Sequence, residues 1–355
     1  MAGLSSAGKR ADALRHFRRS RSVSHEWNCG QRGRTANLPC SSAGLCNCST
    51  LNTEAMNRYF TYGLNIHSNV ELPLWPAAGD AVNQAPDIVI ERTGFCPLPR
   101  ELPEEGYEFH VGPEGGELLS RYVGSIQVSP GRPVRMDARP LPDTSGRLLA
   151  HFLSGSALAL AIFYHGFQPL HGCALRIGCE TVVFMGLSGT GKSSLCAALC
   201  MMGHQIITDD ISPVCWIDGR PHVMPGYPQM KLNSDIVDTL GIPRGELVPL
   251  HEIHPKVGWL RPGDRFDQPQ PIDSLFFLGI GEREIRPLTG LDAFALLQRH
   301  ATPSQWGFEG GKDHFLACSR LIKEVPVYAF IRERNLDGLM DQAEWISSSL
   351  QAVSV

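Results

Sequence analysis

One segment of the chain has the spacing of a phosphate-binding loop. It comprises Gly186, Leu187, Ser188, Gly189, Thr190, Gly191, Lys192, Ser193 and Ser194, and it satisfies the pattern G-x-x-x-x-G-K-[ST] in full. The glycines let successive backbone N–H groups turn towards phosphate oxygens, where a Cβ would block the approach. We expect Lys192 to contact the β- and γ-phosphates of ATP, and Ser193 Oγ to bind the accompanying Mg²⁺.

Two further groups of residues could complete such a site. Asp209 and Asp210 follow the apolar run Ile206–Thr208, and a carboxylate at the end of a strand beside the loop is a typical Mg²⁺ ligand. One carboxylate can bind the metal while the other accepts the proton of an attacking hydroxyl. A solvated turn or helix cap is the alternative for Asp-Asp. His171 could orient an aspartate or contact the γ-phosphate, although a lone histidine is more often structural.

The elements that must position these residues alternate between strands and helices after residue 170. Strands are predicted at Ala174–Ile177, Thr181–Met185, Gln205–Thr208, Val214–Ile217, His222–Met224, Ile272–Leu278 and Pro326–Ile331. Helices are predicted from about Lys192 and at Leu291–His300, Asp313–Lys323 and Leu336–Leu350. The alternation indicates an α/β architecture with a central sheet.

The residues before the loop divide into an extension and a small β-rich unit. Residues 1–55 carry Lys9 and seven arginines against three acidic residues and show no apolar periodicity, so we expect a disordered basic extension before the internal Met56. Short strands separated by Pro- and Gly-rich turns are predicted within 56–145, at Tyr59–Ile66, Asp87–Ile90, Tyr107–Val111 and Gly124–Val128. Arg147–Phe163 then supplies an apolar helix, so residues 146–355 are the expected catalytic domain.

Composition excludes several classes of function. The formal net charge of −4 argues against a dedicated nucleic-acid binder. The apolar helix is interrupted by His151, Ser154 and Ser156 and is too short to span a bilayer comfortably, so we expect it to be buried and expect no membrane partner. The cysteines outside the extension lie in apolar patterns, as free buried thiols do. These features predict a cytoplasmic protein.

Together, the motifs resemble the C-terminal catalytic domain of HPr kinase/phosphorylase, whose P-loop fold is similar to that of ATP-dependent phosphoenolpyruvate carboxykinase. The matching features, in order, are His171-Gly172, the loop Gly186–Ser193, Gly203-His204 and Asp209-Asp210. The resemblance implies a phosphoenolpyruvate carboxykinase-like fold with a central mixed sheet. It also implies phosphate contact by Lys192, Mg²⁺ binding by Ser193 and Asp209, and a proton acceptor at Asp210 assisted by His171. The order of the two aspartates stays open.

The chain also departs from that family. The segment Val223–Ile236 lacks the glutamate with which HPr kinases bind a second metal ion, so neither the phosphorylase reaction nor the HPr substrate is implied. Tyr62-Gly63-Leu64, Leu170-His171 and Pro326-Val327-Tyr328 look like HPr-kinase-related proteins encoded beside peptide-modification genes. The main hypothesis is therefore ATP-dependent phosphorylation of a serine or threonine hydroxyl on a protein or peptide. HPr kinases are typically hexameric, which leaves a homo-oligomer open.

Two alternative functions stay open, and two further groups of residues have a possible role in the site. The chain could be a small-molecule kinase, because adenylylsulfate kinase has a similar loop, or a non-catalytic ATP-sensing module. Trp216, Trp259 and Trp306 could stack on adenine, although core positions are more usual for tryptophan. Lys256, Arg261 and Arg265 form a basic loop that is either solvated or closes over the transferring phosphate.

Overall fold

A computed structural model describes residues 56–96, 102–103, 106–251, 256–302, 306–308 and 311–351. The expected basic extension, residues 1–55, lies outside the described residues. Within them the chain is a mixed α/β protein with three sheets, which confirms the α/β class predicted from the sequence. The more specific P-loop, phosphoenolpyruvate carboxykinase-like assignment stays a prediction.

The first sheet is built from the amino-terminal strands and has the order β1-β2-β3-β7-β6-β5-β4. The strands are β1 Asn57–Thr61, β2 Leu64–Ser68, β3 Ile88–Arg92, β4 Tyr107–Gly112, β5 Gly115–Ser120, β6 Gly124–Ser129 and β7 Val134–Pro140. Strand β3 runs parallel to β2 and β7, and the other neighbours are antiparallel. Alternate residues of β7 (Val134, Met136 and Ala138) are fully buried, so one face of the sheet packs on a core.

The strand predicted at Tyr59–Ile66 is instead a hairpin. Strands β1 and β2 pair antiparallel across a two-residue turn at Tyr62-Gly63, where φ is 55° and 71°. Two successive positive φ values are typical of the tight turns that match the twist of a hairpin. Tyrosine rarely adopts this conformation, so the residue types concealed the turn.

The remaining strands form a large central sheet and a small third sheet. They are β8 Gln168–Ile177, β9 Glu180–Met185, β10 Gln205–Thr208, β11 Ile211–Ile217, β12 Arg220–Val223, β13 Gln229–Leu232, β14 Leu247–Pro249, β15 Val257–Leu260, β16 Gln270–Pro271, β17 Ser274–Ile280, β18 Glu284–Leu288 and β19 Val327–Arg332. The central order is β16-β12-β11-β8-β9-β17-β19-β18, with β10 also pairing with β8, and the third sheet has the order β13-β15-β14. Strand β17 is parallel to β9 and β19, so the central sheet is mixed.

Helices cover both faces of the central sheet. The helices are α1 Gly146–Phe152, α2 Leu158–His165, α3 Lys192–Met201, α4 Ser234–Leu240, α5 Gly290–His300, α6 Gly311–Glu324 and α7 Leu339–Gln351, with short 3₁₀ turns at Gly79–Asn83, Arg244–Glu246 and Pro262–Asp264. Val182 and Phe184 of β9 pack in the core that contains α3 and α7. Val183 and Met185 belong to the opposite core, with α5 and α6. Burial on both faces explains why these strands are apolar throughout.

Helices α1 and α2 are joined by a π-helical turn, Leu153–Ala157, into one apolar segment, Gly146–His165. The segment packs in the same core as the seven-stranded sheet, which confirms the expected buried helix. Among the described residues it is the one helix whose length and composition alone would allow a membrane crossing. Of its most apolar 18-residue stretch, 61% is buried inside the protein. Core helices of proteins that have no contact with a membrane are buried in the same way.

A buried histidine should make the stability of this fold depend on pH. His300 is 4% exposed, and its Nδ1 has no hydrogen-bond partner among the described residues. Burial, together with the Lys192 ammonium, lowers its pKa to about 4. The unfolded chain therefore takes up a proton as the pH falls below 6.5 while the folded protein does not. We expect the free energy of unfolding to lose up to about 3 kcal/mol between these two pH values.

Urea denaturation at pH 7, 6, 5 and 4 measures this effect. The His300→Gln variant should show a shallower decline than the wild type, because its side chain is neutral throughout. The exposed His110→Gln variant is the matched control. If the free energy of unfolding fell equally with pH in the wild type and in His300→Gln, protonation of His300 would not be the cause of the decline.

Candidate active site

The glycine-rich loop lies between β9 and α3, as its sequence context predicts. Helix α3 begins at Lys192, so the positive end of its dipole faces the loop. No acidic residue in the first turn neutralises this end. Gly189 and Gly191 have φ of 81° and 82°, a left-handed conformation that glycine adopts readily. Lys192 Nζ donates to the carbonyls of Gly186 (2.8 Å) and Leu187 (3.2 Å), which holds the ammonium across the loop.

Arg332, at the end of β19, ties the loop to the central sheet. The side chain is 5% exposed, and its Nη2 donates to the carbonyls of Thr190 (2.9 Å) and Gly191 (3.1 Å). Its Nη1 donates to Gln342 Oε1. A Cβ at position 191 would overlap this guanidinium, so the contact explains the need for glycine there. No motif had singled out Arg332.

Replacing Arg332 by methionine should therefore destabilise both the loop and the fold. The buried Gln342 amide and two partly buried loop carbonyls would lose their donor, at a cost of about 1–3 kcal/mol for each group left unsatisfied. Urea denaturation at neutral pH and titration with a fluorescent ATP analogue measure the two effects. The exposed Arg299→Met variant controls for loss of positive charge. Unchanged stability and nucleotide affinity in Arg332→Met would show that the loop holds its shape without this anchor.

Asp209 and Asp210 lie where one long strand breaks in two. Strand β10 pairs with residues 174–176 of β8, and β11 pairs with residues 168–171 of the same strand. Between them Asp210 has φ 71°, and its carbonyl accepts from Gly172 N at 3.3 Å. A Cβ at Gly172 would lie 2.7 Å from the Phe184 carbonyl, so no side chain fits at this crossing. The break brings His171 beside Asp210.

The two carboxylates occupy different surroundings. Ser193 Oγ donates to Asp209 Oδ1 at 3.5 Å, and Lys231 N donates to Asp209 Oδ2 at 3.0 Å. Burial raises the pKa of Asp209, and the neighbouring Asp210 carboxylate raises it further. The Lys231 ammonium, 2.9 Å from Asp210 Oδ2, holds the pKa of Asp210 well below its usual range despite burial. Two neighbouring acids whose pKa values are shifted in opposite directions are typical of sites in which the two carboxylates have different roles.

His171 completes this cluster on the Asp210 side. Its Nδ1 lies 3.5 Å from Asp210 Oδ1. Burial lowers the pKa of His171, although the Asp210 carboxylate opposes the effect, so the imidazole is mainly neutral at pH 7. The structure therefore brings together the sequence-predicted Lys192, Ser193, Asp209, Asp210 and His171.

Lys231 is the residue of this cluster that sequence reasoning missed. It lies on β13, in the third sheet, and contacts Asp209 through its backbone and Asp210 through its side chain. Lys231 falls within Val223–Ile236, the segment that lacks the glutamate of the HPr kinases. A lysine on a four-residue strand carries no local signal for this role, so the tertiary contact was needed to find it.

The structure places the other candidate residues in different surroundings. Lys256 lines the cavity beside the loop, whereas Arg261 and Arg265 form ion pairs with their neighbours Asp264 and Asp267 at 2.9 and 3.0 Å. Arg265 is exposed and fits the solvated-loop interpretation, whereas Arg261 is partly buried in a structural ion pair, and neither lines the cavity beside the loop. Trp259 and Trp306 are buried, 1% and 8% exposed. Trp216 Nε1 donates to Glu324, so none of the tryptophans lines the cavity beside the loop.

That cavity has a volume of about 480 Å³ and is bounded by residues 188–194 of the loop, by the aspartates and by Lys231. Its far wall carries Ile236, Asn335, Leu336 and Leu339. The volume and the mixture of apolar walls with convergent polar groups are typical of small-ligand sites. The Ser193 hydroxyl and the Asp209 carboxylate are neighbouring hard oxygen donors, the type that Mg²⁺ prefers beside a nucleotide. The residues present therefore fit ATP with Mg²⁺.

Comparison with solved structures finds likenesses that are distant. No protein-family model matches the chain, and no curated protein matches it significantly. A solved structure of the HPr(Ser) kinase/phosphatase from Coxiella burnetii matches with a TM-score of 0.30 and 13% sequence identity, over 52% of this chain and 94% of that chain. The overlap extends over about half of the present chain.

Proposed function

We propose that the protein transfers the γ-phosphoryl group of ATP to a serine or threonine hydroxyl on a peptide or protein. The observation that carries the proposal is the placement of Lys192 and Ser193 beside two aspartates whose pKa values are shifted in opposite directions. A phosphate-binding loop alone indicates only nucleotide binding. The second carboxylate and its partners provide the acceptor side of a transfer reaction.

On the donor side, the loop amides and the amino terminus of α3 would position the triphosphate, with Lys192 on its outer phosphates. Ser193 and Asp209 would hold Mg²⁺, which neutralises phosphate charge when it is bound. Arg332 keeps the carbonyls of Thr190 and Gly191 turned away from the phosphates. The N–H of Thr190 donates to the Leu187 carbonyl at 3.2 Å, and the other N–H groups of the loop would face the negative charge.

On the acceptor side, Asp210 is ionised at neutral pH and is held in place by Lys231. As the acceptor oxygen bonds to the γ-phosphorus, its proton passes to the Asp210 carboxylate, and the bond from the γ-phosphorus to the β–γ bridging oxygen breaks to release ADP. The neutral His171 ring lies beside the other carboxylate oxygen. It can orient Asp210 without adding a second full charge.

A direct test is transfer of label from γ-radiolabelled ATP in the presence of Mg²⁺. The purified chain is incubated with degenerate serine and threonine peptides and, separately, with small hydroxyl compounds such as free serine and nucleosides. Label on a peptide hydroxyl supports the proposal. Label on small compounds alone would assign a small-molecule kinase.

A non-catalytic ATP-sensing module is the second candidate, and one observation favours it. The Lys231 ammonium already occupies one oxygen of Asp210 at 2.9 Å, which weakens that carboxylate as a proton acceptor. Binding of ATP without transfer to any acceptor in the same assay would favour this candidate and reject the proposed transferase.

A further inference from the structure

Two cavities meet at Asp210 on the side that faces the seven-stranded sheet. Their volumes are about 480 and 610 Å³. Both are lined by Asp209, Asp210 and Lys231, and by His151 and Gly155 of the apolar helical segment. The glycine-rich loop contributes only Ser193 to the first cavity and no residue to the second. These cavities therefore adjoin the space in which the nucleotide would lie at the two aspartates and extend away from the glycine-rich loop.

The π-helical turn Leu153–Ala157 forms the wall opposite the carboxylates. It interrupts the helix at Gly155, whose φ and ψ are −102° and −112°. A Cβ built on Gly155 would lie 3.7 Å from Lys231 Nζ, so the helix backbone closely approaches the catalytic cluster. Both cavities border this approach, and both have the Asp210 carboxylate in their walls. π-Helical turns within α-helices are frequent at functional sites.

The walls of the two cavities differ in chemistry. The first is aromatic: Tyr107 meets Phe109 and Phe152 edge-on at ring-centroid distances of 5.7 and 6.0 Å, and Phe109 lies 5.2 Å from Trp306. Tyr107 is 50% exposed, so it stands at the mouth of this cavity. The second cavity is more polar and includes Glu71, Arg147 and Gln229 in its lining.

We propose, given the phosphoryl transfer argued above, that these cavities bind an extended peptide acceptor. Its hydroxyl-bearing residue lies at Asp210, which both cavities share, and a neighbouring aromatic or large aliphatic side chain fills the aromatic cavity. The peptide leaves through the polar cavity. A small metabolite would need only one of the two cavities, whereas a chain with groups on both sides of the reacting hydroxyl uses both.

The acceptor preference can be measured with degenerate peptides that have serine at the centre and every residue type at each flanking position. We expect Phe, Tyr, Trp, Leu or Met at an adjacent position to dominate the labelled products of the full chain. Tyr107→Ala should raise the KM for a preferred peptide about 10- to 100-fold, the range that apolar pocket contacts provide. Its KM for ATP and its kcat should change little.

Two further variants separate a binding role from a structural one. Tyr107→Phe retains the ring and should keep the wild-type KM for the peptide. Phe315→Ala removes an aromatic side chain of similar exposure, 51%, on helix α6, and it should also leave that KM unchanged. An equal rise of KM in Tyr107→Ala and Phe315→Ala would overturn the proposal.

The remaining outcomes distinguish this proposal from the one on which it rests. Labelled peptides without apolar preference, or an unchanged KM in Tyr107→Ala, would reject the aromatic acceptor site and leave the transferase standing. Label on free serine or nucleosides but on no peptide would reject the peptide acceptor. The absence of any labelled product, with ATP still bound, would reject the transferase itself.

Discussion

Replacing Lys192 by methionine should lower the rate of phosphoryl transfer at least about 100-fold and weaken ATP binding, because one positioned cationic donor at a transferring phosphate contributes about 10²- to 10³-fold. Lys192 Nζ donates hydrogen bonds to the carbonyls of Gly186 and Leu187, the first two residues of the loop. Methionine preserves most of the length of the side chain and its apolar contacts. Transfer from radiolabelled ATP and titration with a fluorescent ATP analogue measure the two effects.

The exposed Lys323 on helix α6 provides the matched control. Lys323→Met removes the same charge at a distance from the loop and should leave both measurements unchanged. Thermal denaturation of both variants checks that the fold is retained. Full ATP affinity in a folded Lys192→Met variant would show that the loop does not bind phosphate as its pattern predicts.

Replacing Asp210 by asparagine should lower kcat about 10²- to 10⁴-fold, the range over which general-base catalysis contributes. The amide preserves the size of the side chain but cannot take up the acceptor proton. Because Asp209, not Asp210, lies beside Ser193, the affinity for ATP with Mg²⁺ should change little. Steady-state kinetics with a labelled peptide and nucleotide titration separate the two quantities.

The Asp209→Asn variant is the informative comparison, since the two side chains are adjacent in sequence and differ in surroundings. It should raise the Mg²⁺ concentration needed for half-maximal rate, through the loss of an anionic ligand. Asp238→Asn removes a carboxylate from an exposed ion pair with Arg244 and controls for charge. If Asp210→Asn shifted the Mg²⁺ requirement and Asp209→Asn did not, the two roles would be reversed.

Local patterns in the sequence were sufficient to predict much of the central unit. The loop, the helix from Lys192 and the strand before Asp209 depend on residues close together in the chain, and the structure contains each of them. The strands predicted at Val214–Ile217 and His222–Met224 are joined by Asp218-Gly219, a residue pair typical of hairpin turns, and these two residues have φ of 49° and 78° in the hairpin of β11 and β12. In each case, residue types that restrict the backbone lie next to apolar residues with the matching period.

Contacts between distant elements were beyond such patterns. Lys231 lies 21 residues from Asp210 in the chain and belongs to another sheet. Strand β5 was missed because Gly115-Gly116 weakens the alternation that marks a strand. Strand β7 does alternate apolar and charged residues, so this strand was within reach of the sequence pattern although it was not predicted. The aromatic cavity combines β4 with α1 and Trp306, so only the folded chain places these side chains together.

The apolar segment Gly146–His165 has a consequence for how the chain must be made. Its core partners are in the seven-stranded sheet, whose strands lie between Asn57 and Pro140 and leave the ribosome before the helix does. The apolar helix therefore emerges beside a surface that is ready to cover it. A fragment that began at residue 146 would instead carry this helix uncovered at its amino terminus.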